Sequence, residues 1–165
     1  DTIYSICSIS KLFTSISVMQ LRDAGNLQLR DPVGDHLDWF DIKQTHDDSG
    51  PITIESMLTH SSGMPRESGF PYWTGPGFPF PTREQLIERL QTQSTLYPAR
   101  DRYQYSNLAM SVAGELVREE SGEEFADYVK AHILDPLSMD DTRAHYPEYL
   151  RGEFQFGARD FARKG

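Results

Sequence analysis

Tyr4-Ser5-Ile6-Cys7-Ser8-Ile9-Ser10-Lys11-Leu12-Phe13-Thr14-Ser15-Ile16-Ser17-Val18-Met19-Gln20-Leu21 is the stretch from which the rest of the chain is read. Beyond Ser8 the apolar positions Leu12, Phe13, Ile16 and Met19 recur at helical spacing, and Gly25 follows Leu21-Arg22-Asp23-Ala24 where a helix stop belongs. The pattern predicts a buried helix over residues 8–24 whose N-terminus, at Ser8, faces a cleft. Residues three apart share a helix face, so the Lys11 amine can lie beside the Ser8 hydroxyl, close to the free N–H groups of the first turn. A serine, a candidate base and the positive end of a helix dipole then meet in one place.

Alone, Ser-x-x-Lys says little, since average usage produces it by chance about once in a couple of hundred residues. A surface helix start with an exposed lysine would be the simpler reading. Its company changes the weighing. Tyr105-Ser106-Asn107 stands directly before a second helical pattern and is the single Tyr-x-Asn triplet in the chain. Penicillin-recognising enzymes combine Ser-x-x-Lys with Ser-Asp-Asn and Lys-Thr-Gly, and in the class C branch a tyrosine replaces the first serine of the second element. On these motifs the chain resembles the serine β-lactamase and penicillin-binding-protein superfamily, specifically the class C β-lactamase-like group with its D-alanyl-D-alanine peptidases and esterases. Leu27-Gln28-Leu29-Arg30-Asp31-Pro32-Val33, Ile52-Thr53-Ile54-Glu55-Ser56-Met57-Leu58-Thr59-His60-Ser61-Ser62-Gly63-Met64-Pro65 and Ile133-Leu134-Asp135-Pro136-Leu137-Ser138-Met139-Asp140-Asp141-Thr142 extend the likeness from Tyr4 to Thr142. Ala99 and Ser138 depart from it, standing where the family usually carries glycine.

The resemblance implies an α+β parent fold, an antiparallel sheet plus a helical domain, of which this chain is the mostly α part with little sheet. It divides the chain into residues 1–142, a partial serine hydrolase domain, and residues 143–165, a tail of uncertain placement. In the family the nucleophile follows an N-terminal helix and sheet strands, and a third motif, Lys-Thr-Gly or His-x-Gly, lies on a later strand. Here Ser8 stands near the start of the 165 residues and no such triplet follows Thr142, so the expectation is an internal piece of a larger enzyme that needs the remainder of the parent polypeptide to complete its site.

Sixteen basic against 25 acidic residues give a net charge of −9, which argues against nucleic acid or an anionic membrane surface as partner. No apolar run reaches the length of a membrane span. One cysteine, Cys7, allows no intrachain disulfide, and with no histidine near it in sequence the expectation is packing rather than nucleophilic chemistry. A periplasmic or secreted location follows from the resemblance alone.

Along the chain, residues 31–50 read as a turn-rich surface loop anchored by Trp39 and Phe40, and Thr53 as the N-cap of a short helix over residues 55–59. His60 invites a catalytic reading; the plainer one is that its ring ties down the loop by hydrogen bonds, since Lys11 and Tyr105 already supply proton-transfer groups. The other histidines lack metal-ligand spacing, and neither metal nor cofactor is called for. Residues 64–81 hold five prolines and three glycines with Phe70, Tyr72, Trp73, Phe78 and Phe80 between them, which excludes a helix or a central strand. Either this stretch is a lid whose rings line an acyl pocket, with Tyr72 and Trp73 as substrate-binding candidates, or it is a loop folded over the helices with its aromatics as anchors. Thr82-Arg83-Glu84-Gln85 has the form of a capping box. Helices over residues 107–120 and 123–134 follow, with Gly122 and Pro136 as their stops and Leu108, Val112, Leu116, Val117, Phe125, Tyr128, Val129 and Ile133 inward. Residues 152–157 could form a short strand.

A serine hydroxyl is a weak nucleophile until a base removes its proton. An ordinary lysine, with a pKa of about 10.4, is almost wholly charged at pH 7, so a lysine base needs burial or a neighbouring cation; lowering its pKa by about three units costs about 4 kcal/mol. A tyrosine with phenolate character beside a lysine offers a second path. By resemblance Ser8 is the acylated nucleophile, Lys11 and Tyr105 share the proton transfers, and Asn107 orients the substrate amide or acyl chain. The plain alternatives are a packing aromatic for Tyr105 and a helix N-cap for Asn107. The Ser8 N–H would be one oxyanion donor, the other lying on a strand outside this chain; one missing donor costs about 3 kcal/mol. The function expected is a serine hydrolase forming an acyl-enzyme on a small-molecule or peptide substrate: an ester, a β-lactam or a D-amino-acid peptide bond. Acyl transfer through the same acyl-enzyme is a related alternative, and a non-catalytic module binding a peptidoglycan-like ligand is the alternative from another class.

Overall fold

A computed structural model describes residues 6–69 and 81–144. Among them lie five α-helices: α1 (Ser10–Asp23), α2 (Ile54–Leu58), α3 (Arg83–Leu90), α4 (Asn107–Ser121) and α5 (Phe125–Val129), the last running on into a π-turn over Lys130–Leu134. Short 3₁₀ turns cover Cys7–Ile9 and Val33–Asp35. The described residues form no strand, only isolated bridges between Pro32 and Thr53 and between Lys43 and Ser94.

Local chemistry sets the helix ends. The Thr82 hydroxyl accepts from the Gln85 N–H at 3.3 Å while the Gln85 side chain accepts from the Thr82 N–H at 3.0 Å, which is the reciprocal cap expected from the sequence. Thr53 and Ser56 do the same for α2. Ser106, not Asn107, caps α4, its hydroxyl accepting from the Ala109 N–H at 2.9 Å. Gly122 ends that helix in the left-handed region, φ 71°, and donates to the Arg118 carbonyl. Ser138 also sits at positive φ, 53°, so a residue with a Cβ occupies a turn for which the family usually provides glycine. At Ala99 the glycine-like conformation belongs instead to its neighbour Arg100, φ 70°.

α4 is the central element, and α1, α2 and α5 all pack on it. Leu108, Ala109, Val112, Ala113, Leu116 and Val117 of α4 share one core with Val18 and Leu21 of α1, Met57 of α2 and Leu90 of α3. Each large aliphatic side chain fully buried there contributes about 1.5–3 kcal/mol. Trp39 and Phe40 pack against this core as anchors of the loop that carries them, and Val33, Leu37 and Ile42 of the same loop are buried in it.

The buried face of α1 differs from the expected one. Thr14, Ser17, Val18 and Leu21 point inward, whereas Leu12 is 62% and Ile16 44% exposed. Small side chains allow α1 to approach α4 closely, and the Ser17 hydroxyl is satisfied within its own helix by the Phe13 carbonyl at 2.8 Å. Cys7, expected to pack, is exposed. The possible strand at residues 152–157 and the aromatic-rich stretch from Phe70 to Phe80 lie outside the described residues.

Two details yield tests. Gly63 has φ 74°, its carbonyl accepts from the Leu96 N–H at 2.7 Å, and a Cβ there would run into the Tyr97 carbonyl oxygen. Gly63→Ala should therefore cost about 2–4 kcal/mol of stability, read from denaturant midpoints; a loss below about 0.5 kcal/mol would contradict the close approach. His36 bridges two segments, its Nδ1 2.7 Å from Glu120 Oε1 and its Nε2 3.1 Å from Asp31 Oδ2. Burial disfavours the charged ring, but bonds to the two carboxylates outweigh it and raise the pKa above 6.5. The contribution is thus fully present below the unfolded value and lost as pH rises through the raised one. Thermal unfolding should occur at lower temperature as pH rises through that range, and His36→Gln should flatten this dependence.

Candidate active site

Ser8 lies in the 3₁₀ turn immediately before α1, and Lys11 is the second residue of α1. The turn starts from a non-glycine residue at positive φ, Cys7 at 45°, and presents Ser8 to solvent. The Lys11 Nζ donates to Ser8 Oγ at 3.3 Å. The Tyr105 hydroxyl donates to the same Oγ at 2.8 Å, across 97 residues of sequence. Among the described residues no side chain caps α1 and its first turn holds no acidic residue, so the positive helix end beside Ser8 is not neutralised.

Tyr105 and His60 are the electrostatically perturbed groups of the cluster. Hydrogen bonding to Lys11, then to Ser8, together with the charges of Lys11 and Arg66, outweighs burial and holds the Tyr105 pKa below the ordinary 10.0. Both cations lie 5.0 Å from the Tyr105 ring centroid. His60 stacks on that ring with centroids 4.5 Å apart, and its Nδ1 accepts from the Ser106 N–H at 3.2 Å. An accepting Nδ1 carries no proton. Burial, with the Lys11 charge adding, lowers the His60 pKa below 6.5, so both geometry and electrostatics keep this ring neutral at pH 7. Its ring ties the loop to the start of α4, as the plainer reading of the sequence expected.

A cleft of about 300 Å³ opens at these groups, lined by the polar Ser8, Lys11, Ser15, His60 and Tyr105 and the apolar Leu12, Leu58 and Met110. Asn107 is not among the lining residues. Its side-chain amide donates to Glu67 Oε1 at 2.7 Å, and its backbone N–H donates to the Arg66 carbonyl at 2.8 Å. Tyr72 and Trp73 lie outside the described residues. Arg66 and Glu67 are site residues that the sequence reading passed over; they follow Gly63-Met64-Pro65 directly, but no spacing rule links them to Asn107. No group of three or more His, Cys, Asp or Glu residues among those described could hold a metal ion. None of the described helices is long and apolar enough to cross a membrane.

The chain is 32% identical to the D-alanyl-D-alanine-carboxypeptidase/endopeptidase AmpH of Escherichia coli (strain K12) over 142 residues, 86% of this chain and 37% of that protein. It is 30% identical to Beta-lactamase-like protein 2 of Dictyostelium discoideum over 149 residues, 90% of this chain and 27% of the relative. The crystal structure of the Beta-lactamase/D-alanine Carboxypeptidase from Yersinia pestis superposes with a TM-score of 0.77 at 26% identity, covering 92% of this chain and 43% of that one. The chain thus spans less than half the length of each of these relatives. The Beta-lactamase family model matches residues 1–159. With the two motifs, the helical fold and these likenesses in agreement, the chain belongs to the Beta-lactamase family, in the superfamily of serine β-lactamases and penicillin-binding proteins.

Proposed function

We propose that Ser8 is the nucleophile of a serine hydrolase that forms an acyl-enzyme on an ester, a β-lactam or a D-amino-acid peptide bond. The observation that carries this reading is the 2.8 Å contact of the Tyr105 hydroxyl with Ser8 Oγ, with Lys11 Nζ 3.3 Å from the same atom. In the ionised fraction of Tyr105, which Lys11 and Arg66 enlarge, the phenolate takes the Ser8 proton as Oγ attacks the substrate carbonyl carbon. A tetrahedral intermediate forms. Its collapse breaks the bond to the leaving group, which receives the proton from Tyr105. Water then attacks the acyl-enzyme, Tyr105 takes a proton from that water, and Ser8 is released with its proton restored. Lys11 holds positive charge beside the phenolate and orients Oγ throughout. Asn107, whose amide is held by Glu67 Oε1 at 2.7 Å, orients the substrate.

The remainder of the parent polypeptide completes this site. Two features support that part of the reading: the relatives extend well beyond the matched region, and Ile9, Leu12 and Ile16 present an apolar stripe beside the cleft, 58%, 62% and 44% exposed.

In the complete polypeptide that carries this chain, intact-mass measurement after exposure to a fluorophosphonate and, separately, to a penicillin should find a single adduct on Ser8. Ser8→Ala should abolish it with the far-ultraviolet dichroism unchanged, and Lys11→Ala should slow acylation by about 10²–10⁴. A folded wild-type protein that acquires neither adduct would overturn the reading in favour of a binding module.

A second test concerns the proton path. Ultraviolet titration should show Tyr105, identified by difference from Tyr105→Phe, ionising ahead of an ordinary phenol. Lys11→Met should move that step to higher pH. If the step does not move, Lys11 is not what stabilises the phenolate.

A further inference from the structure

His60 takes no proton in the scheme above, yet it holds the segment that carries the phenol at several points. Its carbonyl accepts from the Gln104 N–H at 2.7 Å, its Nδ1 accepts from the Ser106 N–H at 3.2 Å, and its own N–H donates to the Met57 carbonyl of α2 at 3.1 Å. Tyr105 stands between the first two of these bonds, its ring tilted by 35° against the imidazole with centroids 4.5 Å apart. Tyr103 meets the same imidazole edge-on at 5.8 Å. Every residue from 103 to 106 is thus held by this one histidine. It does so from a backbone at φ 56°, a conformation that residues with a Cβ seldom adopt, and from it both carbonyl and side chain reach the same segment.

The bond to Ser106 needs the lone pair of Nδ1. A neutral imidazole with its proton on Nε2 supplies that lone pair, whereas the imidazolium carries N–H on both nitrogens and sets one donor against another. Ser106 is fully buried, so its N–H has no water to turn to. The titratable groups around the ring are Lys11 from α1 and Tyr103 and Tyr105 from the segment before α4, with Arg66 5.0 Å from the Tyr105 ring centroid. A proton on His60 therefore arrives beside a cation already present and breaks the bond that fixes the residue after Tyr105. The 2.8 Å contact between the Tyr105 hydroxyl and Ser8 Oγ leaves little room for that displacement.

We propose that His60 is a positioning residue for Tyr105: the neutral ring aims the phenol at Ser8, and uptake of a proton releases the segment and switches acylation off in acid. This role presupposes the acyl-enzyme reading of Ser8. It adds a second proton-linked requirement, a neutral His60, to the ionised Tyr105 that the chemistry already needs. Burial and the charge of Lys11, which lower the His60 pKa below 6.5, keep the switch clear of neutral pH.

The test follows the rate of Ser8 acylation in the complete polypeptide by intact mass, with a fluorophosphonate or, should only that reagent add, a penicillin, from about pH 4 to pH 8. His60→Asn puts an amide oxygen where Nδ1 stands, suits the left-handed backbone and does not titrate. His60→Phe keeps a ring but offers no acceptor. At pH 8, His60→Asn should lose about tenfold, the worth of the ring contact, and His60→Phe about 10²-fold, the effect of a misplaced phenol. The ratio of the wild-type rate to that of His60→Asn cancels the ionisation of Tyr105. It should be constant near neutrality and fall by about tenfold per pH unit below the His60 ionisation, with the far-ultraviolet dichroism of both proteins unchanged. A ratio flat over the whole range, or His60→Phe no slower than His60→Asn, overturns the proposal, because a merely structural histidine would slow both variants alike at every pH. If His60→Phe fails to fold, the ratio alone decides. Wild-type protein that is acylated but gives a flat ratio leaves the Ser8 reading standing without this one; wild-type protein that takes up neither reagent overturns both.

Discussion

The closeness of α1 to α4 governs the site. Ser8 precedes α1, Tyr105 precedes α4, and their oxygens meet at 2.8 Å, so a shift of about 1 Å between the helices would end a hydrogen bond of that length. Ser17 of α1 and Ala109 and Ala113 of α4 are buried small side chains, and Val18, Leu21, Val112 and Leu116 share the apolar core that holds the two helices together. The chemistry at the mouth of the cleft is in this sense a consequence of packing one to three turns away. The capping hydroxyl of Ser106 fixes the start of α4 from the other side, through the Ala109 N–H and the Pro65 carbonyl.

Charge at the site runs against the charge of the chain. A protein of net charge −9 places Lys11 and Arg66 around one phenol, with an uncapped helix start beside them. The Glu67 carboxylate is bonded to Asn107, and Arg66 lies 3.4 Å from its Oε1 and 5.0 Å from the Tyr105 ring centroid. His60 stays neutral because it is partly buried near Lys11 and because its Nδ1 is occupied as an acceptor. The result is a phenol easier to ionise than usual, placed against a serine oxygen.

α1 departs from the simple amphipathic rule for an equally local reason. Helical spacing was visible at Leu12, Phe13, Ile16 and Met19, but periodicity reports that a face is apolar and not which body covers it. In the structure α4 takes the face with Thr14, Ser17 and Val18, since short side chains permit the closer helix approach, and Leu12 and Ile16 are left outward. A buried serine and threonine fit such an interface when their hydroxyls bond within the helix, as Ser17 does to Phe13.

Much of this protein was legible from its order of residues, because the relevant forces act within a few positions. The caps at Thr53 and Thr82, the stop at Gly122, the inward face of α4 and the pairing of Ser8 with Lys11 are all set by neighbours three or four residues apart. The Tyr105-Ser106-Asn107 triplet was legible only as a motif, since nothing local says that its phenol reaches a serine 97 positions earlier. Tertiary structure alone decided which face of α1 is buried, that Cys7 is exposed, and that Arg66 and Glu67 lie beside Tyr105 and Asn107. The physical reason is that packing, desolvation and Coulombic coupling act through space, between residues whose separation along the chain carries no record of the distance between them.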